Sequence, residues 1–230
     1  MNISMRHLIK TTYVWTILLA SVARCISQGF INLDFESANL GAVTTGQSGG
    51  YVSVTNAIPG WMAFIGTDQQ TQILQNNGSV GPASISIWGP NAPSSSIIQG
   101  NYSVFLTAGI SDFSVSISQT GLVPLSAATL LFEAEPNYQG SGTFLVSMGG
   151  QNIPYFALAT GPNYTLYGGD ISAFSGLTET LTFSNSRIGS NFSYEELDNI
   201  LFSSLPVPEP GAFGFLTLGG MLLAWRRLKL

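Results

Sequence analysis

Phe113-Ser114-Val115-Ser116-Ile117-Ser118 alternates large apolar and small polar side chains without a break. Successive side chains of an extended strand point to opposite faces. This period of two therefore sets Phe113, Val115 and Ile117 on one face and three serines on the other. Similar short runs rich in Ile, Val, Phe, Thr and Ser recur at residues 30–36, 51–55, 61–65, 72–74, 84–88, 102–107, 129–135, 143–148, 151–158, 163–166, 179–184 and 196–202. Gly, Pro and Asn punctuate them: Pro59-Gly60 precedes Trp61, Gly81-Pro82 precedes Ile85, and residues 89–94 form a loop. Gly149-Gly150 reads as a hairpin turn. No unbroken helical period occurs before the C-terminal segment. Many short strands with regular punctuation predict an all-β fold, a two-sheet sandwich.

Charge is distributed unevenly along the chain. The full sequence of 230 residues has a formal net charge of −5. Eleven of the twelve acids lie within residues 28–205, whereas Arg187 alone of the seven basic residues does, so this stretch stands at −10. Such a surface repels phosphate backbones and excludes nucleic-acid binding. It suits neutral sugars, cations, or no ligand. The single His and the single Cys are His7 and Cys25, both in the N-terminal leader. Without them, residues 28–205 lack imidazole, thiol and lysine. Ser-His-Asp and Cys-His catalysis, the usual zinc sites, disulfides and Schiff-base chemistry are all excluded there.

The two ends read as targeting segments. Arg6, His7 and Lys10 precede the apolar stretch 13–23, which has signal-peptide length, and cleavage is expected after Ser27. At the other end, Val207-Pro208-Glu209-Pro210 is followed by an apolar run over 211–225 and then by Arg226, Arg227 and Lys229. Prolines favour extended backbone, the apolar run is a candidate membrane helix slightly short of ~20 residues, and the cations act as a cytoplasmic stop. The expected organisation is a signal peptide at 1–27, a β-sandwich domain at 28–205 and a sorting and anchor segment at 206–230. This tripartite tail resembles the PEP-CTERM sorting signal of bacterial surface proteins. The resemblance implies an exosortase-type sorting protease as partner, acting on a substrate that is exported and membrane-anchored or released to the cell surface or extracellular matrix.

Asn32-Leu-Asp-Phe-Glu36, Pro59-Gly-Trp61, Gln99-Gly-Asn-Tyr-Ser103, Ser118-Gln-Thr-Gly121 with Val123-Pro124, and Leu197-Asp-Asn-Ile-Leu-Phe202 follow one another in order. Together they resemble the jelly-roll, carbohydrate-binding-module-like domains of such surface proteins. The resemblance implies a jelly-roll-like sandwich and association with extracellular polysaccharide. In the resembling modules the first and last strands pair, and some hold a structural Ca²⁺ there. Carried over, this makes Asp34, Glu36 and Asp198 the candidate calcium ligands. Among the aromatics that could stack on sugar rings, Trp61 and Tyr138 are the candidate ligand-binding residues, although Trp61 reads as core in the resembling families. Glu133 and Glu135 share one strand face about 6–7 Å apart. Glycosidase pairs have comparable spacing but flank the substrate from different strands. The two therefore read as a solvated face and the domain as no enzyme. Arg187 is expected to pair with Glu195 or Glu196. The expected function is that of an exported surface or matrix protein with a structural or carbohydrate-associating sandwich. A glycan-active hydrolase using acidic residues and a ligand-free coat protein are the alternatives.

Overall fold

The computed structural model describes residues 29–41, 49–78, 81–92, 97–109, 114–135, 142–189 and 192–207. The leader 1–27 lies outside them, as do Phe113, Tyr138 and all of 208–230, including Pro208, Glu209, Pro210, Arg226, Arg227 and Lys229. Among the described residues no helix is long and apolar enough to cross a membrane. The candidate span 211–225 is not among them.

The chain folds into β1 (Tyr51–Ser53), the short helix α1 (Val54–Ala57), β2 (Met62–Ile65), β3 (Asp68–Gln70), β4 (Gln72–Gln75), β5 (Ser84–Trp88), β6 (Ser103–Ala108) and β7 (Val115–Leu122). It continues through β8 (Thr129–Glu135), β9 (Gly142–Met148), β10 (Gln151–Asn152), β11 (Tyr155–Thr160), β12 (Thr165–Asp170), a 3₁₀ turn at Ser172–Phe174, β13 (Thr178–Arg187) and β14 (Ser193–Ser203). One sheet has eight strands in the order β1-β4-β5-β6-β14-β8-β12-β11; the other has six, β10-β9-β13-β7-β2-β3. Neighbours are antiparallel except β4 and β5, which run parallel. From β6 onward the chain passes repeatedly between sheets, so each core layer is built from distant segments. The result is the two-sheet β-sandwich that the alternation predicts.

β7 keeps the period-two pattern: Val115 and Ile117 are fully buried, while Ser114 and Ser116 are half-buried. Phe35, Trp61, Phe132 and Phe183 meet in the core. Trp61 lies 5.7 Å from Phe35 and 6.3 Å from Phe183, and Phe132 meets Phe183 edge-on at 5.3 Å. The indole Nε1 of Trp61 donates to the Asn32 carbonyl at 3.0 Å, so its one polar atom is satisfied inside. Trp61 is therefore a core residue, and its assignment as a ligand platform is corrected.

The strand expected at 30–36 is a turn-rich segment instead. Asn32 and Phe35 take φ of +50° and +55°. The Asn32 side chain accepts from Ser37 N and donates to the Pro59 carbonyl. Local side-chain bonding of this kind competes with a sheet ladder. It also turns Phe35 fully into the core. Pro154 divides the run 151–158 between β10 and β11. Gly149 and Gly150 form the turn between β9 and β10 with φ of +57° and +77°, as a tight hairpin requires.

Trp61→Ala should cost about 3–5 kcal/mol by urea unfolding, because it empties a central aromatic site. Tyr51→Ala, at a strand edge where the residue is 70% exposed, should cost within about 0.5 kcal/mol. Equal losses would contradict the core placement.

Candidate functional site

β8 and β14 lie side by side with Glu133 opposite Asp198 and Glu135 opposite Glu196. Alternation places Ala134 and Leu197 on the inner face and all four acids on the outer face. They form a two-by-two block that is not a solvated face. Glu133, Glu196 and Asp198 are only 6%, 1% and 1% exposed. Glu133 Oε1 accepts from Asn199 Nδ2 at 3.1 Å, while its Oε2 is buried with no hydrogen-bond partner. The Glu135 and Glu196 side chains stand opposite each other on the outer face. The reading of Glu133 as solvated is corrected, whereas Glu135 at the strand end stays partly exposed. Their partners come from β14, and cross-strand register is not encoded in one strand alone.

Burial sets the titration of these groups. It raises Glu135 above its ordinary value, opposed by the Glu196 hydrogen bond. Burial pushes Asp198 up to about 7, against the lowering effect of bonds from Asn199 N, Gln99 N and the Ser103 hydroxyl. Glu195 shares the inner face with Leu197. Burial and the charge of Glu135 push it up to about 9. Arg187 closes β13 in the six-stranded sheet, and β13 packs against β14, the strand that bears Glu195 and Glu196.

The connection between β5 and β6 lies across this block. Asn163, in the turn between β11 and β12, donates to the Ile97 carbonyl at 3.1 Å. Gln99 N and Ser103 Oγ donate to Asp198 Oδ2 at 3.0 and 3.1 Å, and Asn199 N to Oδ1 at 2.7 Å. Glu36 grips the same loop from the other side. Its Oε1 accepts from Asn101 N and Tyr102 N at 2.6 and 3.0 Å, and its Oε2 from Asn101 Nδ2 at 2.9 Å. Gly100, at φ +63°, lies against that carboxylate, where a Cβ would strike it.

Asp34, Glu36 and Asp198 do gather around one cleft of about 310 Å³, with Gln99, Gly100 and Asn199. They do not form a ligand set. Ca²⁺ requires 6–8 oxygens, whereas the carboxylates of Glu36 and Asp198 face N–H and O–H donors. Asp34 accepts from Glu36 N at 3.3 Å. Among the described residues no group of three His, Cys, Asp or Glu could hold a metal ion. The structure brings the three expected calcium residues to one cleft and uses Glu36 and Asp198 as a clamp on residues 99–103.

On the far side of the clamped loop is a second cleft, of about 170 Å³, lined by Leu40, Gly41, Gln75, Gly89, Pro90, Asn91 and Tyr102. None of these carries a charge. Gln75 Nε2 donates to the Gly41 carbonyl at 3.0 Å. The buried Asn76 side chain fixes one wall, accepting from Gly89 N at 2.8 Å and donating to the Pro90 carbonyl at 3.3 Å. Amides beside a half-buried tyrosine ring supply hydrogen bonds and a flat apolar face, the combination a neutral hydroxylated ring needs. Alternation and punctuation in the sequence single out none of Tyr102, Gln75 and Asn91, because the folded loops alone bring them together.

No family model matches the chain, and no curated protein matches it significantly. Similar solved structures include the carbohydrate-binding module TmCBM61 in complex with β-1,4-galactotriose. It is 14% identical with a TM-score of 0.44, and the match covers 76% of this chain and 99% of that one. The family 11 carbohydrate-binding module from Clostridium thermocellum, in complex with a mixed-linked β-1,3-1,4 tetrasaccharide, is 12% identical with a TM-score of 0.34, covering 71% and 99%. The enzymatically active domain of bacteriophage CBA120 tailspike protein 4 is 17% identical with a TM-score of 0.40, covering 76% of this chain and 24% of that one. These scores lie below 0.5, so the fold stands on this chain's own strand pairing and no residue role passes from these proteins to it.

Unfolding should depend on pH through the buried acids. The folded state keeps protons on Asp198 up to about 7 and on Glu195 up to about 9, whereas the ordinary values are 3.8 and 4.5. Between those limits the folded state binds more protons, so stability falls as pH rises. The Tm should decline from pH 5 to pH 9. Glu195→Gln should leave the Tm at pH 5 nearly unchanged and flatten the decline above pH 7. A Tm that rises over this range would contradict the assignment.

Proposed function

We propose that the chain is an exported bacterial cell-surface or extracellular-matrix protein. Its jelly-roll-like sandwich associates with neutral polysaccharide, and residues 206–230 sort and anchor it. The binding half is carried by the uncharged cleft of Gln75, Asn91 and Tyr102. Outside such a cleft, a domain at −10 repels anionic ligands, while hydroxyl-rich neutral chains need only amides and a ring. At about 170 Å³ the cleft is smaller than the roughly 300 Å³ at which drug-sized pockets begin, so it suits one ring or a chain end.

The domain is read as a binder rather than a catalyst. Glu133 and Glu196 are only 6% and 1% exposed, which disfavours a pair of acids flanking a glycosidic bond there. The sorting half rests on the order of Val207, Pro208, Glu209 and Pro210, the apolar run, then Arg226, Arg227 and Lys229. An exosortase-type protease would recognise the Pro-Glu-Pro region and remove the anchor.

Retardation in native gels containing neutral β-linked polysaccharides tests the binding half. Tyr102→Ala should weaken retardation at least tenfold in apparent Kd, about 1.4 kcal/mol, while Tyr51→Ala should not. Equal retardation of both variants would reject this cleft, and no retardation with any polysaccharide would favour a ligand-free coat protein. Mass spectrometry of the native protein tests the other half. A mature C-terminus near Pro210 is expected with sorting, whereas an intact Leu230 would reject cleavage.

A further inference from the structure

The strand ends at one pole of the sandwich are tied together. β7 ends at Leu122 opposite Thr178, and β8 begins at Thr129 between Ser203 of β14 and Asp170 of β12. Val123 N donates to the Leu177 carbonyl at 2.9 Å and Gly176 N to the Val123 carbonyl at 3.1 Å. Ala128 N donates to the Ser203 carbonyl at 2.8 Å, and Thr129 Oγ1 to the Leu205 carbonyl at 2.6 Å. Four leucines project from this pole: Leu122, Leu125, Leu177 and Leu205 are 37%, 86%, 47% and 73% exposed.

Residues 121–128, 171–178 and 203–207 contain no charged side chain, although eleven acids lie within 28–205. Asp170 and Glu179 mark the border. The opposite pole differs: β8 ends there at Glu135, β13 ends at Arg187, and β14 starts just before Glu195 and Glu196. The sandwich is thus polarised, with a leucine-bearing uncharged end and a charged end. Isolated exposed leucines are ordinary, but several on one uncharged surface mark a contact site.

The chain itself points to the occupant. It leaves the sandwich at this pole, and only residues 208–210 separate Val207 from the apolar run 211–225. Fully extended, three residues span about 10 Å. We infer that this leucine pole rests on a lipid surface, with Leu122, Leu125, Leu177 and Leu205 in the headgroup layer; this relies on the reading of 211–225 as a membrane anchor. Burial of an apolar face about 5–10 Å into that layer is the ordinary depth of interfacial segments. The pole carries no cation, so its contact is apolar and independent of anionic headgroups. The acidic pole then faces away from the membrane.

The full chain carrying Cys25→Ser is reconstituted into phosphatidylcholine vesicles that contain headgroup-spin-labelled lipid. A polarity-sensitive fluorophore is attached through Leu125→Cys or, at the charged pole, through Thr160→Cys. The label at 125 should emit to the blue and be quenched at least threefold more than the label at 160. Adding Leu177→Ser and Leu205→Ser should return its emission toward that in water. Equal emission and quenching at both positions, in a chain that floats with the vesicles, would overturn the inference while leaving the anchor intact. A blue shift at 125 without lipid quenching would also overturn it, by assigning the pole to a second copy. A chain that does not float would overturn the anchor, and this inference with it.

Discussion

The register between β8 and β14 sets acid against acid at the centre of the eight-stranded sheet, and much else follows from it. Phe132, Ala134 and Leu197 must face the core, and a one-residue slip would turn them outward. With the apolar face so held, Glu133 has to lie opposite Asp198 and Glu135 opposite Glu196. Like charges directly across a ladder destabilise it. Here the conflict is relieved by protons and by hydrogen-bond donors. Burial raises Asp198 toward its protonated form, and Asp198 accepts from Gln99, Ser103 and Asn199.

Those donors link the acid block to the loop above it. Asp198 and Glu36 grip residues 99–103 from two sides, so a segment with no ladder of its own has a defined position. Tyr102 belongs to that segment. The clamp therefore places one wall of the uncharged cleft, while Asn76 places the other through Gly89 and Pro90. Acids and candidate ligand contacts are kept apart: the former hold the scaffold, and amides with a tyrosine ring face the cleft.

Much of the fold was legible from alternation and punctuation. The boundaries of β5 and β8 match the predicted runs at both ends because Pro82, Gly89 and Pro136 bracket strongly patterned stretches. β3 was missed because Asp68-Gln69-Gln70 is polar on both faces and shows no period. Residues 30–36 looked like a strand but are governed by positive φ at Asn32 and Phe35, which apolar patterning does not reveal. The candidate site was less legible. That Asp34, Glu36 and Asp198 share a cleft followed from a family resemblance, but their role depends on which backbone N–H groups arrive beside them. Glu133 and Glu135 were visible as a pair; that a second pair covers them from β14 is a property of register, which a single strand does not carry.

The central claim is that Asp198 and Glu195 are packed with their protons inside the folded domain. Carboxyl-carbon NMR titration of the folded protein measures this directly. Asp198 should titrate near 7 and Glu195 near 9, with Glu135 above its ordinary value. If every one of these carboxyls titrated at its ordinary value, near 4, the block would be solvated and the account of the loop clamp built upon it would be wrong.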